Sequence, residues 1–256
     1  MLLRRICLLA ALCSSLPAFA VKPPVPPSVR IDGQVGTAGD YVAPNGRLSS
    51  AMIAASPTSD AFLPGTSFNR VSARQDQLRL KAGLEYSLAQ LTKQDDVQTR
   101  HIAERLLQWL RAREATGRVR ILTDARLMQA QPRHDPVILG GDQLHIPLRP
   151  TSIQVMGAVD AAGSSCTLPH VPLKSARQYL ADCPGAKGAD PDNVYVIQPD
   201  GLVQKLGIAT WNRADPHAIA PGGALYVPIA ESRLQSLDPD FNSEFAAFVA
   251  TQPVSL

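Results

Sequence analysis

Two stretches of the chain share one spacing: Val29-Arg30-Ile31-Asp32-Gly33-Gln34-Val35-Gly36-Thr37-Ala38-Gly39 and Ile153-Gln154-Val155-Met156-Gly157-Ala158-Val159-Asp160-Ala161-Ala162-Gly163. They align without gaps, with a glycine, a valine, an alanine and a second glycine in common and matching apolar residues near the start. An internal repeat of this kind predicts two copies of one structural unit.

Three further blocks recur in the same order along the chain. Residues 48–51 resemble 173–176, residues 119–124 resemble 195–200, and residues 139–148 resemble 221–229. Short apolar runs flanked by glycine often look alike, so each match is weak alone. Their common order favours a true duplication.

The first copy has the pattern of a small α+β unit. Residues 29–35 alternate apolar and polar side chains, which is typical of a half-buried strand. Gly33 within this run indicates a bulge or a close approach of another backbone. Residues 48–55 have helical spacing and end before Pro57, because the residue before a proline disfavours the helical conformation.

A helical hairpin interrupts the first copy, over residues 68–117. Ser72-Ala73-Arg74-Gln75 has the capping-box pattern for a helix start, and Leu80, Leu84, Leu88 and Leu91 then form one apolar stripe. Asp95 and Asp96 can cap a second helix, for which Gly117 is placed as the C-cap. We therefore predict a first unit at 21–150 with this insertion, and a second unit at 151–230 without one.

The C-terminal segment, residues 231–256, predicts one short amphipathic helix. Phe241, Phe245 and Phe248 share one face of it. We expect this face to dock on the protein itself. Contact with another protein or with an outer-membrane component is the alternative.

The first twenty residues have the pattern of a cleavable secretory signal. Arg4 and Arg5 precede the apolar run 6–12, and Ala18-Phe19-Ala20 provides a small-residue cleavage site. The run is too short to span a bilayer, and no later run is long enough, so we predict a secreted chain without a membrane span. Removal of the signal lowers the net charge from +3 to +1. No block of like charge favours nucleic acid as a partner.

The mature chain keeps two of the four cysteines, Cys166 and Cys183. In an oxidising compartment an even pair predicts a disulfide, and two free buried thiols are the alternative. No histidine or further cysteine lies nearby at ligand spacing, so we predict no metal site.

The second copy carries the residues of a family resemblance. Residues 153–159, 173–180, 192–201 and 221–227 resemble the soluble-ligand-binding β-grasp (SLBB) repeats of outer-membrane polysaccharide export proteins. Two such repeats, an inserted hairpin, a signal and a C-terminal amphipathic helix resemble the GfcC-like capsule biosynthesis family. The resemblance implies an α+β fold of two tandem β-grasp domains. It also implies a periplasmic role in capsular or exopolysaccharide biosynthesis or export, with the polysaccharide or an export protein as partner and no cofactor.

The motifs of common enzyme classes do not occur in the sequence. We find no H-E-x-x-H, G-x-S-x-G or P-loop pattern, and the five histidines are scattered. We therefore predict a non-enzymatic protein that binds polysaccharide in the groove between the β units and the hairpin. A pure assembly module of the export complex is the first alternative, and a polysaccharide-modifying enzyme is the second.

Four residues form the candidate ligand site. Arg118 follows the hairpin, where a guanidinium can hold an acidic sugar in bidentate fashion, although it can also pair with helix-end carbonyls. Trp109 and Trp211 can stack on sugar rings, although the spacing of Trp109 also suits a core position. Arg113 lies near the end of the second helix and completes the set.

Overall fold

The structure is a computed structural model that describes residues 26–161, 163–215, 217–234 and 237–254. The predicted signal peptide lies outside these residues. The first sheet contains β1 (Val29–Gly33), β2 (Gly39–Tyr41), β3 (Ser67–Asn69), β4 (Arg118–Val119) and β5 (Asp142–Ile146). The second contains β6 (Ser152–Gly157), β7 (Ser165–Pro169), β8 (Asn193–Ile197), β9 (Val203–Gly207) and β10 (Ala224–Val227).

The two sheets have the same topology. Their strand orders are β2-β1-β5-β3-β4 and β7-β6-β10-β8-β9, and in each the first strand pairs parallel with the last. The glycines of the repeat occupy one position in both copies: Gly33 lies opposite Ile146, and Gly157 opposite Val227. A Cβ on Gly33 would lie 2.1 Å from the Ile146 carbonyl oxygen, which is the close backbone approach predicted for this glycine. The predicted α+β class is confirmed.

The structure corrects the alignment of two repeat blocks. Residues 195–197 lie in β8, whose counterpart is β3, whereas residue 119 lies in β4, the counterpart of β9. That block pairing was wrong because short apolar runs carry little register information. The helix α1 (Leu48–Ala55) of the first copy begins at Leu48, whereas the corresponding helix of the second copy begins at Ala176. The predicted pairing of Leu48 with Leu173 was therefore wrong by three residues.

The helical hairpin lies between β3 and β4. It contains α2 (Val71–Leu91) and α3 (Val97–Arg111), and Asp96 caps α3 by accepting a hydrogen bond from the Thr99 amide at 2.8 Å. The predicted capping box was wrong, because α2 follows β3 directly and Ser72 lies inside the helix. The predicted C-cap was also wrong: α3 ends at Arg111, and Gly117 instead forms a left-handed turn (φ +76°) ahead of β4.

Each sheet has its own core, and the hairpin packs with the second. The first core joins the sheet to α1 and to α4 (Ala125–Ala130). The second core joins its sheet to α5 (Ala176–Asp182), to the hairpin and to the C-terminal helix α6 (Phe241–Ala250). The predicted stripe supplies Leu84, Leu88 and Leu91 to this second core. The hairpin, although inserted in the first unit, therefore helps to form the core of the second unit.

The C-terminal helix docks on its own protein, the first of the two alternatives. Phe241, Phe245 and Phe248 are fully buried. The ring of Phe245 stacks on Tyr226 of β10 at 5.0 Å between centroids. Among the helices of the described segments, none is both long and apolar enough to cross a membrane.

Candidate functional site

A hollow of about 290 Å³ lies on the face of the second sheet that α6 covers only in part, and we call it the main cavity. Its floor is a row of side chains from four neighbouring strands, in which Thr167 lies opposite Gln154, Gln154 opposite Ala224, and Ala224 opposite Ile197. Two of these four side chains are polar, so the floor offers hydrogen bonds beside apolar surface.

The end of α3 forms one wall of the main cavity, through Trp109 and Arg113. The Trp109 ring packs against Phe245 at 5.6 Å and edge-on against Phe248 at 6.5 Å, so it belongs to the core and to the cavity wall. Its indole N–H is buried and has no hydrogen-bond partner in the described part of the chain. The Arg113 guanidinium lies 5.0 Å above the same ring.

Arg118 also borders the cavity, but carbonyl groups occupy its guanidinium. It donates to the carbonyls of Gln252 at 2.8 Å, Ala250 at 3.2 Å and Thr66 at 3.2 Å, and to that of Pro199. Burial lowers the pKa of Arg118, an effect that the nearby Asp200 carboxylate partly offsets. Because Ala250 ends α6, these contacts match the structural alternative, in which the arginine pairs with helix-end carbonyls.

A second arginine of the same segment reinforces this junction. Arg120 donates from Nε (3.1 Å) and Nη2 (2.8 Å) to the same oxygen, Oδ2 of Asp200, in the turn between β8 and β9. Gly201 completes that turn with a positive φ of 86°, as the Pro-Asp-Gly sequence predicts. The segment from Arg118 to Arg120 thus attaches the first unit to the second.

Trp211 lies apart from the other three candidate residues. It follows β9, is 77% exposed, and its indole N–H donates to the Asp192 carboxylate at 3.3 Å. It is absent from the lining of the main cavity. The structure therefore brings together Trp109, Arg113 and Arg118 but not Trp211.

A disulfide holds the outer strand of the cavity floor. Cys166 of β7 is bonded to Cys183 at the end of α5, with their Cα atoms 6.3 Å apart. The predicted disulfide is thus present. Thr167 of the cavity floor directly follows Cys166 in the chain. Within the described ranges, no group of three or more His, Cys, Asp or Glu side chains could hold a metal ion.

Sequence reasoning missed the floor of the cavity. Gln154 and Thr167 are polar residues in strands whose other face is apolar. Because side chains alternate between the two faces of a strand, these polar residues signal a face that is not fully covered by helices. The repeat supports this reading, since Arg30 holds the position of Gln154 in the first sheet and is exposed.

These features define a class of protein, an α+β chain of two repeated mixed sheets in which a helical hairpin and a C-terminal helix wall a cavity on the second sheet. Residues 164–253 match the family model for the capsule biosynthesis GfcC C-terminal domain. This segment includes Thr167, Ile197, Ala224 and all of α6, and so much of the cavity.

A relative supports the same family. The chain is 27% identical over 173 residues to the uncharacterized protein YjbG of Escherichia coli strain K12, an alignment that spans 68% of this chain and 69% of YjbG. The predicted resemblance to the GfcC-like family is thereby confirmed, most directly for the C-terminal segment that the family model matches. The matched family model is described as one of capsule biosynthesis.

Proposed function

We propose that the protein binds a capsular or extracellular polysaccharide in the main cavity, and that it assists the assembly or export of this polymer without catalysing a reaction. The cavity carries this proposal, because polar side chains on its floor face an aromatic ring and a guanidinium on its wall. Ligand sites commonly combine apolar surface with a few placed polar groups.

Arg113 is the residue that favours an acidic sugar. Within the described residues its side chain makes no hydrogen bond, whereas the Arg118 guanidinium donates to four carbonyls. A guanidinium can bind a carboxylate through two parallel hydrogen bonds. We therefore assign the binding of a uronic acid or a similar acidic group to Arg113 and leave Arg118 a structural role.

The compartment and the fold family belong to the same proposal. The signal-like N-terminus and the disulfide support export to the periplasm, where disulfides persist. The shared topology of the two sheets, each with a helix on one face, supports two β-grasp domains of the SLBB type.

Titration calorimetry of the mature chain with purified acidic and neutral polysaccharides tests this function. We expect Arg113→Ala to weaken binding of an acidic polymer roughly tenfold or more, since a hydrogen-bonded charge contributes about 1.5–3 kcal/mol. Arg111→Ala is the matched control, because it removes the same charge only two residues away, at an exposed position outside the cavity. Equal weakening by both variants, or no binding of any polymer by the unmodified chain, would refute the proposed site.

A protein-assembly role is the second candidate, and the surface of the hairpin favours it. Val71 and Leu78 are exposed apolar side chains on the first half of α2, at 64% and 45% exposure. Cross-linking to an outer-membrane polysaccharide export protein, with Leu78→Asp as the disrupting variant, tests this role independently of sugar binding.

A further inference from the structure

Trp211 is an isolated aromatic side chain on a polar surface. It is the one exposed large apolar side chain among the described residues of the segment 190–220. Asp192, Asn212 and Thr210 lie next to it in space or in sequence. Aromatic anchors of protein interfaces instead lie in well-packed, desolvated pockets, within a ring of contacts that excludes water.

The loop that carries Trp211 is fixed by its neighbour Asn212. The Asn212 amide donates to the Asp192 carbonyl at 3.1 Å and to the Asn193 side chain at 3.3 Å, and it accepts from the Ala209 amide at 3.1 Å. At Gly207 a Cβ would lie 2.0 Å from the Asn212 carbonyl oxygen, so only glycine permits this close approach. The backbone beneath the indole is therefore held in one position.

The indole itself is oriented by its hydrogen bond to Asp192. The segment before β8 that contains Asp192 also contributes Asp190 and Pro191 to a hollow of about 280 Å³, whose other lining is mostly apolar. An aromatic ring that is both anchored at its edge and exposed to solvent loses little conformational freedom when a ligand stacks on it. Such pre-organisation is the property that a stacking site requires.

We infer that Trp211 forms a second glycan-binding site, separate from the main cavity, in which a pyranose ring of the polysaccharide stacks on the indole. A pyranose presents C–H groups on its faces and hydroxyl groups around its edge. The indole face suits the former, and the carboxylate of Asp192 and the hydroxyl of Thr210 suit the latter. This inference rests on the proposed function, since it assigns a further contact to the same polymer.

The spacing of the two sites favours a polymer over a single sugar. Asp192 precedes one end of β8, and Ile197 of the main cavity lies at its other end. The four steps from Asn193 to Ile197 span about 13 Å of extended strand. A ligand that touches both sites must therefore be a chain of several sugar units.

Titration calorimetry of the full mature chain tests the site, with purified surface polysaccharide of the producing cells, polygalacturonate and dextran as probes. We expect Trp211→Ala to weaken binding roughly tenfold, as aromatic stacking does for nucleic-acid bases. Tyr86→Ala is the matched control, because Tyr86 is also an exposed aromatic side chain (66%) but lies on the hairpin. Asp192→Ala should weaken binding less, because it frees the indole without removing it.

A spectroscopic measurement gives a second readout that does not depend on affinity. The chain contains two tryptophans, so Trp109→Phe leaves Trp211 as the one reporter of indole fluorescence. We expect polysaccharide to shift its emission to shorter wavelength and to protect it from acrylamide. If Trp109→Phe lowers the melting temperature, the emission spectrum of Trp211→Phe is subtracted from that of the unmodified chain. The difference is the signal of Trp211.

The outcomes separate this inference from the proposed function. Weaker binding in Trp211→Ala with a protected indole supports the second site, whatever Arg113→Ala does. Binding that Arg113→Ala weakens and Trp211→Ala leaves unchanged overturns the second site and keeps the first. If Trp211→Ala abolishes association with vesicles or with a protein but leaves polysaccharide binding unchanged, the assignment of a glycan to this site is overturned. No binding of any probe overturns both.

Discussion

At the scale of single residues, Arg118 connects three parts of the chain, because its carbonyl partners come from both units and from the C-terminal tail. A buried guanidinium is costly unless its N–H groups have acceptors. Here the acceptors are four backbone carbonyls, from Thr66, Pro199, Ala250 and Gln252. The residue and its partners are thus mutually dependent.

Arg118→Ala should therefore lower the free energy of unfolding by about 3 kcal/mol or more, because it leaves several buried carbonyls unpaired. Arg118→Lys should be intermediate, since one ammonium cannot reproduce the planar set of donors. Urea unfolding followed by circular dichroism measures both. The control is Arg120→Ala, which breaks an exposed ion pair and should cost less than about 1 kcal/mol. Similar losses in Arg118→Ala and Arg120→Ala would contradict the structural role.

The pKa of Tyr226 makes stability dependent on alkaline pH. Burial raises this pKa well above its usual value, and burial also raises the pKa of the neighbouring Tyr195. In the unfolded chain the phenols lose their protons near pH 10, whereas in the folded chain they keep them to higher pH. The folded state then binds more protons, so the free energy of unfolding should fall as pH rises above about 10.

Urea unfolding at pH 8 to 11 measures this slope, and Tyr226→Phe should reduce it. That variant also loses the hydrogen bond to Asn242, so its stability at pH 8 should already be lower by about 1 kcal/mol. The hydrogen bond to Glu231 raises the pKa of Lys205, so deprotonation of this lysine also lowers the free energy of unfolding at alkaline pH. Lys205→Met removes this second contribution and serves as the control. An unchanged slope in Tyr226→Phe would contradict the assignment.

The residue scale also shows what the sequence could and could not predict. Gly33 and the Pro-Asp-Gly turn before β9 were predictable, because in both a glycine adopts a positive φ that the residue type itself signals. The role of Arg118 was open, because its partners lie between 52 and 134 residues away. Gln154 and Thr167 were missed as cavity residues, because their polarity signals an incompletely covered face of the sheet but does not show which helices leave that face open.

At the scale of elements, α6 covers part of the second sheet through aromatic packing. Phe245 contacts Trp109, Tyr226 and Phe241 with centroid distances between 5.0 and 5.7 Å. Phe245→Ala should cost about 3–5 kcal/mol, the usual loss for a buried phenylalanine. Thermal and urea unfolding measure it, with Ser243→Ala on the exposed face of the same helix as control. A loss below 1 kcal/mol would show that the helix is not docked as described.

The disulfide stabilises the outer strand β7 against α5. Replacing both Cys166 and Cys183 by serine should lower the free energy of unfolding by about 3 kcal/mol, the value for closing a loop of this length. It should also weaken polysaccharide binding, because Thr167 on the cavity floor is next to Cys166. Dithiothreitol should reproduce both effects in the unmodified chain and have no effect on the double variant. A sensitive double variant would mean that the reductant acts elsewhere.

The helices illustrate a different limit of sequence reasoning. The leucine stripe of α2 correctly predicted a buried face, and Asp96 correctly predicted a cap. Neither pattern shows which core the face joins, because apolar periodicity records burial and not the partner. The sequence placed the hairpin in the first unit, and only the tertiary structure shows that it packs on the second.

At the scale of the whole molecule, the packing of the first unit's hairpin on the second sheet makes the two units interdependent. Leu84, Leu88 and Leu91 come from the chain segment of the first unit but are fully buried in the second core. Truncation of a buried leucine to alanine costs about 2–5 kcal/mol. Three such losses therefore approach the total stability of a typical domain, about 5–15 kcal/mol. The predicted boundary near residue 150 falls between β5 and β6, but it does not separate two independent cores.

The chain should accordingly not be divisible at that boundary. A fragment of residues 151–256 retains the second sheet, α5 and α6, but it lacks the hairpin, so the rings of Phe245 and Phe248 lose their contacts with Trp109. We expect it to give a broad, non-cooperative urea transition and to bind a hydrophobic dye. The same fragment preceded by residues 68–117 on a flexible linker should regain a cooperative transition, whereas a linker of equal length without the helices should not. Cooperative unfolding of the bare fragment would show that the second unit is complete by itself, and the hairpin would then have to be explained by what its exposed face binds.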